Sequence, residues 1–321
     1  MYPRLIKLSI IFSMLIAASS VLAKKPFDQK CAPESRLKII TVNYINFNGK
    51  TAVGTLKVLD TLAPYFKNVF NTLYIKKFPI YHMGEGLVPL QPAGVSTSYI
   101  AYGNAADADN TAAFACRPIT HGTLPSIHAY GAAVDLNPRE NPYLGFEGDP
   151  SGIMKVKDII PADGWKYITR SKYREGKPVH QGISNSVNDI FKDNGILRWG
   201  GDWNYPIDYM HFEVYRDVDI LLLTMTPKEA SQYFKVYMNF YNTCKAHYPT
   251  EYAKRKFNDL SKAIAINTGS TPIDIYLKQG IFQLMKDANT VASAPSKQLC
   301  LLNPTANKAF DSIMALRKIK T

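Results

Sequence analysis

The sequence predicts an α+β protein, and three observations carry that prediction. Through about residue 219, β-branched or small-residue segments alternate with loops rich in Gly, Asn and Pro. Beyond residue 220 the apolar spacing turns helical, and successive starts carry capping signals. At 46% apolar and 20% charged, the 321 residues can bury a sizeable core, which excludes wholesale disorder.

The first segment is set apart from the fold. Arg4 and Lys7 precede the apolar run Leu8 to Ala18, which ends in Val21-Leu-Ala23, the pattern of a secretory signal peptide over residues 1–23. The run is too short to span a bilayer, so no transmembrane anchor is expected. The predicted mature chain starts near Lys24, is periplasmic or secreted, and keeps a formal charge of +10 of the original +12. An even count of cysteines in an exported chain favours disulfides, and the expected pairs are Cys31 with Cys116 and Cys244 with Cys300. No two cysteines have the short spacing of a structural zinc site.

Leu37 to Ile45 reads as a strand and Asn48-Gly49 as a turn. Val58, Leu59, Leu62, Tyr65, Phe66, Val69, Phe70 and Leu73 recur at helical steps, with Pro64 marking a kink or a break. Residues 74 to 140 alternate short strands and loops, and 87 to 112 is loop-rich, with Asp107 and Asp109 near its end. Gly131 to Leu136 suits a buried strand, Ser186 to Asn194 a short helix, and His211 to Tyr215 a strand. Helix starts follow at Thr226-Pro-Lys-Glu229, a capping box, and at Thr250-Glu251, Thr271-Pro-Ile-Asp274 and Asn303-Pro304. Residues 24–219 are thus expected to form the catalytic domain and 220–321 a basic helical domain of unknown role, with 14 basic against 6 acidic residues.

Two segments carry the chemistry. Ser126-Ile-His128-Ala-Tyr-Gly131-Ala-Ala-Val-Asp135 and Asp208-Tyr-Met-His211-Phe-Glu213 supply two imidazoles, a carboxylate ligand and a spare carboxylate. A catalytic zinc needs three such ligands and an open fourth position. Period two puts Glu213 on the same face of its strand as His211. Asp208 and Glu213 both qualify as the general base, the other holding a ligand imidazole in one tautomer. Spacing alone leaves that choice open. His82, His121, His180 and His247 sit in polar contexts expected of surface histidines.

These segments are flanked, in order, by Asn110-Thr-Ala-Ala-Phe114-Ala-Cys-Arg117-Pro118, by Leu136-Asn137-Pro138-Arg-Glu140-Asn141-Pro142-Tyr143 and by Trp199-Gly-Gly-Asp-Trp203. Over roughly residues 50 to 216 the ordered set resembles the zinc D-alanyl-D-alanine carboxypeptidases of the VanY type, in the branch that includes L-alanyl-D-glutamate endopeptidases. The resemblance implies a small zinc-peptidase domain with a central antiparallel sheet and flanking helices, Zn2+ as cofactor, and peptidoglycan stem peptides as substrate. It implies His128, Asp135 and His211 as ligands, Asp208 as base, Glu213 behind the ligands, and Arg117 binding substrate and steadying the charge that develops on the scissile carbonyl oxygen. Ser126 and Trp203 are the expected substrate contacts, with Trp199 equally suited to cleft or core. Ala112 and Ala115 stand where the branch often has polar residues.

Two other readings follow from the same residues. The fold is also suited to a non-catalytic wall-binding or metal-binding module. The basic region after residue 220 would draw the protein to anionic envelope polymers, whereas nucleic acid is not expected as a partner, because Lys254-Arg-Lys256 and Arg317-Lys-Ile-Lys320 are short clusters on an exported chain.

Overall fold

A computed structural model describes residues 25–84, 106, 108–149, 151–253 and 257–302. The expected signal peptide, most of the expected 87–112 loop with Asp107, both basic clusters and the helix start expected at Asn303-Pro304 lie outside the described residues. The architecture is α+β: small sheets on one side, helices in the C-terminal third.

Strands β1 (Leu37–Ile45) and β2 (Thr51–Leu59) form an antiparallel hairpin in full register, from Leu37 opposite Leu59 to Ile45 opposite Thr51. The turn is closed by the Asn46 side chain, which accepts from the amides of Asn48 and Lys50, and by Gly49 at a φ of 73°. Helix α1 (Ala63–Ile75) follows, with Pro64 in its first turn, where a missing amide hydrogen costs nothing. Val58 and Leu59, which the sequence joined to the helical period, instead end β2. Their apolar faces serve the same core, so a strand's last residues mimicked a helix's first turn. Phe66, Val69, Phe70 and Leu73 of α1 are fully buried.

Two three-stranded antiparallel sheets follow. One is ordered β5 (Ala133–Asp135), β10 (His211–Glu213), β8 (Arg198–Trp199); the other β7 (Met154–Ile160), β6 (Tyr143–Gly148), β9 (Ile207–Asp208). A short parallel pair joins β3 (His82–Met83) to β4 (Asn110–Thr111). The predicted helix at 186–194 is a 3-10 turn over Ser184–Ser186 and then α2 (Asn188–Lys192), closed by Gly195 at a φ of 81°. The strand expected to reach Tyr215 stops at Glu213, because Tyr215 is the residue before α3 (Arg216–Thr224).

The helical third runs through α4 (Pro227–His247), α5 (Pro249–Ala253), α6 (Leu260–Thr268), α7 (Pro272–Ser293) and α8 (Lys297–Cys300). The Thr226–Glu229 capping box opens α4, and Thr271 caps α7 by accepting from the amide of Asp274. Gly280 breaks α7 with a φ of 81°. No described helix is long and apolar enough to cross a membrane.

The apolar core is continuous from the hairpin through α1 and the β5-β10-β8 sheet to α4, α6 and α7. Tyr65 of α1 meets Phe234 of α4 edge-on at 4.7 Å between ring centroids. Buried Arg36 pairs with Asp60 at 2.8 Å and donates to the carbonyls of Leu222 and Met225 at the end of α3, where a cation offsets the helix dipole. Both expected disulfides are present: Cys31 with Cys116, and Cys244 with Cys300.

Candidate metal centre

The centre is built by strand register. In β10 and β5, His211 stands directly opposite Asp135, and in β10 and β8 Glu213 stands opposite Arg198 and Phe212 opposite Trp199. Alternation sends His211, Glu213, Asp135 and Arg198 to one face and Phe212 with Trp199 to the other. On that second face the Phe212 ring stacks on Phe191 at 3.8 Å and on Trp199 at 6.1 Å, which makes the sheet a rigid floor. Trp199 therefore belongs to the core, whereas Trp203 lines the cleft.

His128 arrives from the loop before β5. Its 3-10 turn (Ile127–Tyr130) is capped by Ser126, whose hydroxyl accepts from the His128 amide at 3.3 Å. Gly131 ends the turn at a φ of 70°, and a Cβ there would come within 2.6 Å of the Leu59 amide. Only glycine meets both demands, so the β1–β2 hairpin presses directly on the loop that aims His128.

Three donor atoms converge. His128 Nε2 is 3.0 Å from His211 Nδ1 and 3.2 Å from Asp135 Oδ1, and His211 Nδ1 is 3.1 Å from the same oxygen. Ligands 2.0–2.1 Å from a tetrahedral zinc lie roughly 3.3 Å from one another, close to this spacing. The remaining ring nitrogens are committed elsewhere: His128 Nδ1 donates to the Ala113 carbonyl, and His211 Nε2 to Glu213 Oε2 at 2.8 Å. Each imidazole thus turns the correct lone pair inward. Two nitrogens and a carboxylate oxygen are the donor set of a catalytic zinc, and this trio is the one group of its kind found among the described residues.

Electrostatics agree with a site that expects positive charge. Burial would raise the Asp135 carboxyl, but the two histidines hold it well below the usual range. Burial likewise opposes charge on His211, yet Glu213 and Asp135 together push it up to about 10. A proton on Nδ1 is therefore the competitor any metal must displace. Burial lowers His128.

Asp208 enters from β9, which pairs with β6 through Asp208 opposite Tyr143. Trp199 Nε1 and the Ser184 hydroxyl both donate to the Tyr209 carbonyl, which fixes the chain beside it. A Cβ on Gly200 would lie 2.3 Å from the Asp208 carbonyl oxygen, so this glycine lets the Asp208 backbone pass, while one on Gly201 would strike the Trp199 ring. Burial, and then the charge of Asp135, push the Asp208 carboxyl up to about 7, while His211 and Arg117 pull against them. Its Oδ1 is buried with no hydrogen-bond partner. An acid held in that state is suited to receive a proton.

A cleft of about 580 Å³ gathers Asp208, His211 and Glu213 with Arg117, Ser126 and Trp203. The expected site residues that line it do so from five separate stretches of chain; His128 and Asp135 sit beneath, almost fully buried. Arg117 follows Cys116 directly, and its carbonyl accepts from the Ser126 amide at 2.9 Å, so the Cys31–Cys116 bridge pins the arginine's loop segment beside the His128 loop.

Of the four histidines expected at the surface, His82, His121 and His247 are exposed but His180 is buried. Its ring packs 4.6 Å from Tyr167 inside a loop folded back on the domain, and the polar residues around it in sequence gave no sign of that fold-back. Sequence reasoning also missed Arg198, Tyr143 and Arg216, all on the cleft wall. Arg198 had no local signal, since only the pairing of β8 with β10 sets it opposite Glu213.

Residues 120–214 match a family model described as D-alanyl-D-alanine carboxypeptidase. The matched stretch holds Ser126, His128, Asp135, Trp203, Asp208, His211 and Glu213; Arg117 lies three residues before it, and the hairpin, α1 and the helical third lie outside it. The resemblance read over roughly residues 50 to 216 is thus matched over 120–214. Neither a curated protein nor a solved structure matches the chain.

Proposed function

We propose that this protein is an exported zinc peptidase that hydrolyses peptide bonds in the stem peptides of peptidoglycan, either as a D-Ala-D-Ala carboxypeptidase or as an L-Ala-D-Glu endopeptidase. One observation carries the reading: three metal-donor atoms lie 3.0–3.2 Å apart, one of them on His211, which lines the same cleft as Asp208, a buried carboxylate whose Oδ1 has no partner. The match to peptidases over residues 120–214 supports the reaction class.

His128 Nε2, Asp135 Oδ1 and His211 Nδ1 would hold the ion. Bound zinc would polarise a scissile carbonyl and make water acidic enough to attack at neutral pH. Every other task falls to side chains. Asp208 takes the proton of the attacking water and returns it to the leaving amine, which a carboxyl titrating near neutrality does without a large energetic mismatch. Arg117 offsets the negative charge that grows on the carbonyl oxygen. Glu213 keeps His211 in the tautomer that presents Nδ1. Ser126 and Trp203 line the route of the stem peptide. The excess of basic residues after position 220 would hold the enzyme near anionic envelope polymers, an attraction that salt weakens.

Mass spectrometry of muropeptides incubated with zinc-loaded protein, beside a chelator-treated control, tests the reading and names the bond. New fragments in the loaded sample alone are expected. Stoichiometric zinc with muropeptides left intact would replace the hydrolase with a wall-binding or metal-binding module on the same fold.

A further inference from the structure

The helical third reaches the metal centre through one side chain that the proposed chemistry does not use. Arg198 donates through Nη1 to Glu213 Oε1, while the other oxygen of that carboxylate, Oε2, accepts from His211 Nε2. Glu213 is nearly inaccessible to solvent, so its charge is costly unless both oxygens are answered. Burial would raise this carboxyl; His211 first and Arg198 next outweigh it.

The guanidinium is itself held on both flanks. Its carbon lies 5.1 Å from the Trp203 ring and 5.5 Å from the Tyr215 ring, at distances where a cation is attracted to an aromatic face. The Trp203 ring in turn lies 5.5 Å from the His211 ring. Behind Arg198, away from the catalytic cleft, a smaller cavity of about 150 Å³ is walled by Arg198, Trp203 and Tyr215 together with Phe257 and Leu302 of the helical third. Phe257 bridges to Leu301, and Asn258 donates through its amide to Cys300, so the Cys244–Cys300 bond fixes that wall. Arg198 therefore faces the catalytic cleft on one side and the connecting segments of the C-terminal third on the other.

We propose that Arg198 is a positioning residue that sets metal affinity by orienting Glu213 and, through it, His211, with Phe257 and Leu302, from the connecting segments of the C-terminal third, supplying the rear wall that keeps the guanidinium in place. The inference rests on the metal-site reading above. A lysine at this position would keep the charge but lose the fork that fits the carboxylate while lying flat between two rings.

The test is metal affinity, measured by chelator competition on the full-length mature protein, for wild type, Arg198→Ala, Arg198→Lys, Glu213→Gln and the Arg198→Ala/Glu213→Gln pair. The visible spectrum of the Co2+-substituted protein reports ligand geometry independently of turnover. Removal of a residue that orients a metal-bound histidine weakens binding about 10–100-fold. Arg198→Ala is expected to do so with an altered cobalt spectrum, and Arg198→Lys to recover part of the loss. The double variant is expected to be no weaker than the worse single one, because both changes cut the same chain of contacts. Affinity and spectrum unchanged in Arg198→Ala, or losses that simply add in the double variant, would overturn the proposal. Should Arg198→Ala fail to fold, Arg198→Lys against wild type decides by the same two readouts. Wild-type protein that binds no metal would instead sink the zinc reading itself.

Discussion

The β5-β10-β8 sheet and the C-terminal helices solve opposite problems with the same chain. The sheet consists of strands two or three residues long, and one of its faces buries polar side chains, Asp135, His211 and Glu213, with His128 beside them from the preceding turn. The helices are long and cap-defined, and what they bury is large and mostly apolar: Tyr233, Phe234, Tyr237, Phe240, Tyr276 and Leu284. Burying charges costs stability even when they are paired, whereas burying an aromatic ring contributes about 2–3 kcal/mol. The contrast teaches that a site of this kind does not hold itself together. Its geometry is maintained by neighbours that bury the surface it cannot.

The sharpest break of that contrast is His128→Ala. Loss of bound metal and of all turnover is expected, with the folded state retained, and metal analysis beside a thermal melt checks both. Asp208→Asn comes next: turnover is expected to fall about 10²–10⁴-fold while metal is kept, because only the proton acceptor is removed. Steady-state kinetics on metal-loaded protein measures it, and the same pattern in Glu213→Gln with full activity in Asp208→Asn would reverse the two roles. On the helical side, Phe234→Ala should cost about 3–5 kcal/mol in denaturant unfolding. If the helices stabilise without taking part, metal affinity of the folded fraction stays unchanged.

A subtler test uses pH. Burial, and then Glu140 beside it, push the Asp109 carboxyl from 3.8 up to about 9. The folded state therefore holds a proton that the unfolded chain has released, and stability attributable to this group falls as pH rises from about 4 towards 9. Asp109→Asn removes that dependence, so its melting temperature relative to wild type should be higher at pH 8.5 than at pH 5. An equal difference at the two values would show that Asp109 is ionised in the fold. The smallest effect is expected from Tyr237→Phe. The hydroxyl is buried with no partner, so its removal should be neutral or stabilising by up to roughly 1 kcal/mol.

How far the sequence could be read follows the same division. The helix starts at Thr226 and Thr271 were legible because capping is local: one side chain and an amide three residues on decide it. The trio of His128, Asp135 and His211 was legible chiefly through the resemblance of the ordered motifs to zinc carboxypeptidases; the residues alone offered two imidazoles and a choice of carboxylates, with period two putting His211 and Glu213 on one face. The register that sets His211 opposite Asp135 was not, since it pairs residues 76 apart and no local rule encodes it. For the same reason Val58 and Leu59 looked helical: apolar spacing reports which side chains are buried, not which backbone carries them. Arg198 escaped notice because its importance arises only once β8 lies beside β10.

The bond between Cys31 and Cys116 has a consequence for where the protein can work. It closes a loop of 85 residues one position before Arg117, and the residues beside both sulfurs hold the turn that carries His128: the Ala32 amide donates to the Ala129 carbonyl and the Ala115 amide to the His128 carbonyl. Reduction would thus loosen the guanidinium and the turn of one metal donor together. The two would be held together only where the bond persists, in an oxidising compartment.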